Sequence, residues 1–148
     1  MSGRGILIRV GIVAAIAIGA FALRPFISGN AGDLNVGDCF DPPTGSETIK
    51  DVQHHPCTEL HGAEVIFVGK MPNATTAPTT DVMDQWVHDN CDTAYLTYNG
   101  SDINTSADWQ MGYYYPTADG WSSGDRGMIC FATRVDGTQT TGSLKKSS

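Results

Sequence analysis

The sequence predicts an α+β protein: a single N-terminal transmembrane helix, then a small disulfide-braced domain with one helix packed on an antiparallel sheet. Three observations predict it. Residues 10–23 carry no polar side chain and are flanked by Arg9 and Arg24. All four cysteines lie beyond that run. Farther on, apolar residues recur at strand spacing on both sides of one stretch where they recur at helical spacing.

The apolar run comes first in the chain. A helix over residues 6–27 covers about 33 Å, enough to cross a bilayer, with Arg9 and Arg24 reaching toward opposite headgroup layers. Arg4, Arg9 and the free N-terminus outweigh Arg24, so the positive-inside bias predicts a cytoplasmic N-terminus and an extracytoplasmic C-terminal domain on a single-pass cell-membrane protein. The competing reading is cleavage after Ala20-Phe21-Ala22, whose small residues suit a signal peptidase. Pro25 and the polar run that follows end the helix. The expected organisation is an anchor at 1–27 contacting lipid through residues 6–27, a short stalk at 28–33, and one domain at 34–148.

Six Lys and Arg against sixteen Asp and Glu remain over residues 25–148, a net charge of −10. That surface repels nucleic acid, which is excluded as a partner. Three Trp, five Tyr and four Phe over the same residues supply the apolar area that a disordered acidic segment lacks.

Within the domain, residues 34–40 and 49–54 read as a hairpin around Asp41-Pro42-Pro43-Thr44-Gly45. Residues 63–68, Ala-Glu-Val-Ile-Phe-Val, read as a strand, and 71–80 as an exposed loop. Met83, Val87, Cys91, Ala94 and Tyr98 form one stripe of a helix over 81–98, with Thr80 as its cap and Asn99-Gly100 as its stop. Trp109, Met111, Tyr113 and Tyr115 alternate along another strand, a turn is expected at Asp119-Gly120, and 128–135 is the next strand. The tail around Gly142-Ser143-Leu144 is a candidate last strand.

Cys39, Cys57, Cys91 and Cys130 are 18, 34 and 39 residues apart, too wide for a zinc ribbon or a redox motif, and predict two structural disulfides. Of three connectivities, Cys39 with Cys57 staples the opening hairpin and Cys91 with Cys130 bolts the helical stripe to the most strand-like segment.

Gly37-Asp38-Cys39-Phe40, Val52 with Cys57, His61-Gly62-Ala63-Glu64-Val65, Cys91 with Tyr98, and Trp121, Gly124-Asp125-Arg126 and Cys130 follow one another in an order that resembles the septum-formation domain of actinobacterial membrane-anchored proteins. The resemblance covers nearly all of residues 34–144. It implies a cell-envelope location and a link to division, and carries over no catalytic residue.

His54, His55, Cys57 and His61 are the densest group of ligand-type residues, and imidazoles with a thiolate can hold zinc or copper. Their spacing fits no finger, and an oxidised Cys57 could not ligate, so surface histidines are the plainer reading. His61 and Glu64, three apart on a strand, should point to opposite faces. The serines lack the strand-to-helix elbow of a hydrolase nucleophile. Asp125-Arg126 after Trp121 is either a carboxylate or phosphate clamp or a turn held by a local salt bridge. Tyr114, opposite in parity to Tyr113 and Tyr115, is expected to face outward and pack on sugar or protein. The expectation is therefore a non-enzymatic envelope protein with no cofactor or metal, binding a membrane protein or envelope complex, with Tyr114, Trp121, Asp125, Arg126 and His61 as its candidate contacts. The alternative is a metal- or small-ligand module built on His54, His55 and His61.

Overall fold

The alternating segments form five strands, β1 (Cys39–Asp41), β2 (Gln53–His55), β3 (Ala63–Lys70), β4 (Trp109–Tyr114) and β5 (Gly127–Arg134), in one antiparallel sheet ordered β2-β1-β3-β5-β4. The computed structural model describes residues 33–43 and 52–148. The anchor at 1–27 and all but the last residue of the stalk lie outside these, and among the described residues no helix is long and apolar enough to cross a membrane.

β1 and β2 make the expected hairpin, shorter than its sequence signal, with Cys39 opposite His55 and Asp41 opposite Gln53. β5 lies between β3 and β4, and its residues divide cleanly by parity. Met128, Cys130 and Ala132 enter one core cluster, while Ile129 and Phe131 enter another on the opposite face. A β-bulge between Val65 and Phe67 breaks that parity in β3. Val65 joins the second cluster, whereas Ile66 and Phe67 both turn to the first, where Phe67 meets Trp86 edge-on at 5.8 Å.

One helix covers the larger cluster. It runs through α1 (Thr80–Val87), a π turn (His88–Asp92) and α2 (Thr93–Asn99). Thr79, not Thr80, caps it, accepting from Val82 N at 3.4 Å, and Gly100 ends it at φ 90°, a backbone angle that glycine adopts without steric cost. Met83, Val87, Cys91 and Tyr95 are its buried residues, at an unbroken spacing of four. In a plain α-helix that spacing drifts around the axis; the wider π turn absorbs the drift. Tyr95 therefore enters the core, while Ala94 and Tyr98, expected in the stripe, pack at its margin.

Both disulfides have the expected connectivity. Cys39–Cys57 ties the start of β1 to the turn after β2, and Cys91–Cys130 ties the π turn to β5, with Cα atoms 5.3 and 6.2 Å apart.

Two expectations are corrected. Tyr114 does lie opposite Tyr113, but that face carries its own core of Leu34, Phe40, Val52, Ala63, Val65, Ile129 and Phe131, so Tyr114 is buried rather than presented outward. Its ring lies 4.8 Å from that of Phe131, and burial pushes its phenol far up from its ordinary value. Gly112 makes room for this arrangement, since a Cβ there would meet the Phe131 ring at 2.5 Å. At Asp119-Gly120 the chain forms not a simple turn but a short helix, α3 (Ala118–Ser122), which Thr117 caps by accepting from Gly120 N at 3.1 Å.

Candidate functional site

The loop at residues 71–79, the start of α1 and α3 leave a half-open cleft of about 290 Å³ between them. Its walls are mainly apolar, with Met71, Pro78, Met83, Tyr115, Pro116 and Trp121 among them. Trp121 is buried at the base, and its indole Nε1 donates to the Ala74 carbonyl at 3.1 Å. Arg126 stacks on that indole with its guanidinium carbon 3.8 Å from the ring centre. Its Nη1 donates to the carbonyls of Trp121 (2.7 Å) and Asp125 (2.8 Å), and its Nη2 to Ala74 (3.0 Å). Asp125 Oδ1 accepts from Gly127 N at 2.9 Å. Arg126 is thus the clasp that joins α3 to the loop. This geometry reaches beyond a local Asp–Arg turn, because the loop carbonyl of Ala74, 52 residues away, takes part.

A buried polar centre lies elsewhere, at the seam between β3, α2 and the C-terminal tail. Glu64 is fully buried, and its carboxylate accepts from Tyr98 Oη (2.5 Å), Ser143 Oγ (2.6 Å) and Leu144 N (2.6 Å). His61 and Glu64 do not diverge as strict alternation requires. The chain bends at Gly62, before β3 begins, and His61 pairs instead with Thr140 of the tail. Cys39 Sγ, a ring nitrogen of His61 and a carboxylate oxygen of Glu64 consequently lie within 4.8 Å of one another. Cys39 Sγ is spent on the disulfide, so these three residues do not offer a free ligand set.

The three histidines of the alternative reading do not converge. His54 is exposed, His55 Nε2 lies 2.8 Å from Asp41 Oδ2, and His61 is buried beside Glu64. Asp41 also accepts from Gly62 N and from Gln139 Nε2, each at 2.8 Å. Burial pushes its carboxyl up, but the hydrogen bonds from Gln139, His55 and Gly62, with the charge of His55, outweigh it and hold the carboxyl below its ordinary value. Asp41 and Glu64 are thus two anchors for one tail.

A family model described as septum formation matches residues 36–148. The chain belongs to the septum-formation family. Neither a curated protein nor a solved structure matches it. The match runs from just before β1 to the last residue, including the tail that Asp41 and Glu64 hold down. Membership in this family ties the domain to septum formation, a step of cell division.

Sequence reasoning did not find Asp41, Ala74 and Ser143. Their roles depend on partners 47 to 98 residues away: Gln139 for Asp41, Trp121 for Ala74 and Glu64 for Ser143. Glu64 did leave a signal, a lone charge inside Ala-Glu-Val-Ile-Phe-Val, a run otherwise fit for burial.

Tyr98 gives this seam a pH limit. Burial, then the hydrogen bond to Glu64, push its phenol from an ordinary value of 10.0 up to about 12, with Ser143 working the other way and the charge of Glu64 adding to the rise. The folded state holds this proton more tightly than the unfolded chain does. The resulting stability is present below about pH 10 and is lost as pH rises through about 12. Tyr98→Phe is expected to flatten the fall of unfolding free energy across that window, as measured by urea titrations at stepped pH; an unchanged slope would remove Tyr98 from the alkaline transition.

Proposed function

We propose that the protein is a non-enzymatic, membrane-anchored component of the cell envelope whose outer domain binds a protein partner during septum formation, as a member or accessory subunit of a membrane complex. The cleft above Trp121 carries the reading. Aromatic and proline walls around a half-open hollow supply the apolar anchor pocket that protein interfaces use, and the Arg126 clasp preorganises it. The apolar run at 10–23 supports an anchor, and two disulfides support an oxidising compartment outside the membrane. The acidic outer domain favours a partner with a basic rim.

Ala77 and Ala118 line the cleft and are exposed, so they can be replaced without opening the core. A photo-crosslinking residue at either position in the full-length protein, activated in the native membrane, is expected to capture a discrete envelope protein. The same residue at exposed Thr138 is expected not to capture it. A bulky Ala77→Trp should abolish the capture made from position 118 while leaving the thermal unfolding temperature unchanged. Identical products from 77, 118 and 138 would show that the cleft is not the docking site.

A further inference from the structure

The two disulfides sit in opposite surroundings. Cys91 and Cys130 are each 0 % exposed, so no outside group reaches either sulfur. In the other pair Cys39 is 2 % exposed, but Cys57, in the turn after β2, is only half-buried. The accessible residue is therefore Cys57, and the sulfur that would leave on attack is the inner one.

Something stands ready for that inner sulfur. His61 is 1 % exposed, and its Nδ1 lies 2.8 Å from the Glu59 carbonyl, which can only accept, so Nδ1 carries a proton. The other ring nitrogen, Nε2, which carries the lone pair in an Nδ1–H tautomer, is buried and has no hydrogen-bond partner among the described residues. Buried polar atoms are ordinarily paired, and an orphan needs a reason. The reason lies in the same pocket. Cys39 Sγ sits within 4.8 Å of a His61 ring nitrogen and of the Glu64 carboxylate, so its reduced thiol would have the imidazole at its side. Cys57 Sγ lies 3.5 Å from the Gly37 carbonyl, which would accept from its thiol in turn. Both sulfurs thus have acceptors that the disulfide does not use.

We propose that Cys39–Cys57 is a thiol–disulfide exchange site, with an external dithiol as its substrate class and His61 as the residue that receives the leaving sulfur. A thiolate of the dithiol attacks Cys57 Sγ; its new S–S bond forms as the Cys57–Cys39 bond breaks, and the electron pair of the broken bond stays on Cys39 Sγ. That sulfur gains the proton that the attacking thiol gave to solvent and shares it with His61 Nε2. The second thiol of the dithiol, deprotonated in the same way, displaces Cys57 from the mixed disulfide, and Cys57 takes up a proton. Two electrons have then passed from the dithiol, now a disulfide, to Cys39 and Cys57, and the reverse sequence oxidises a partner dithiol. Burial of Cys39 makes a bare thiolate there costly, which is why the acceptor at its side matters. This inference rests on the hairpin end of the domain and is independent of the cleft.

The test uses full-length protein in detergent, sampled over time after mixing with reduced and oxidised dithiothreitol and again at equilibrium, trapped by alkylation and read cysteine by cysteine by peptide mass. Cys39 and Cys57 are expected to become labelled together at least about tenfold faster than Cys91 and Cys130, with circular dichroism unchanged. Opening of both disulfides together with loss of the fold would overturn the proposal. The imidazole ¹⁵N signal of Nε2 in His61 is expected to shift on reduction while that of exposed His54 does not; an unmoved His61 signal would remove it from the exchange. His61→Phe, if folded, should shift the exchange equilibrium toward the disulfide by about tenfold. An unchanged equilibrium in a folded variant would equally count against His61, and the nitrogen signal decides the matter if the variant does not fold.

Discussion

Replacing Cys91 and Cys130 together with alanine is expected to lower unfolding free energy by about 4 kcal/mol, within a range of about 2–5. The bond closes a separation of 39 residues, and cross-linking a loop of that size removes roughly this much from the unfolded chain through lost closure entropy. The native state adds to the effect. Cys91 lies in the π turn, where the helix departs from ideal winding, and Cys130 lies in β5, an interior strand of the sheet. Both are fully buried, so the substitutions also leave a small void between helix and sheet. Urea unfolding with an unchanged m-value would give the difference directly. A loss under about 1 kcal/mol would mean that apolar packing alone holds the helix in place. The equivalent loss for Cys39–Cys57, with a separation of 18, should be smaller, about 3 kcal/mol.

Glu64→Leu is expected to cost about 2–4 kcal/mol and to release the C-terminal tail. The carboxylate accepts three hydrogen bonds, and bonds to a charged group contribute more than neutral ones when the group is buried. Leucine fills similar space but leaves Tyr98 Oη, Ser143 Oγ and Leu144 N without their acceptor. Ser143 can turn to water, which sets the upper bound; the Leu144 amide is half-buried and sets the lower. The tail's other ties at this seam, from Gly142 N to the Cys57 carbonyl and from Lys146 N to the Tyr98 carbonyl at 2.9 Å, flank the Glu64 contacts and are expected to open with them. Hydrogen exchange should therefore show lost protection at residues 142–146 and retained protection in β5. Uniform loss across the domain would instead mean that Glu64 supports the whole core rather than the seam.

The strands, the helix and the disulfide connectivity were legible in the sequence because each rests on local or pairwise chemistry. Alternation at residues 109–115 and 128–135 fixes which side chains share a face, and a Cys in a helical stripe has a strand Cys as its natural partner. What covers a face is another matter. Tyr114 obeys its predicted parity, yet whether that side met solvent depended on Leu34, Phe40 and Val52 arriving from the other end of the chain. The π turn that brings Tyr95 inward, and the bulge that turns Ile66 and Phe67 to one side, shift periodicity by a single residue, too small a change to read from spacing. The candidate sites were legible as residues but not as assemblies. Trp121, Arg126 and His61 stand out by type, but the Ala74 carbonyl, the tail donors on Glu64 and the inner sulfur beside His61 are distant in sequence. Sequence by itself determined the main strands of the sheet, the long helix over it and which cysteines join. Only the tertiary structure decided what is buried and what is open, because burial depends on surfaces brought together from segments whose local patterns carry no record of each other.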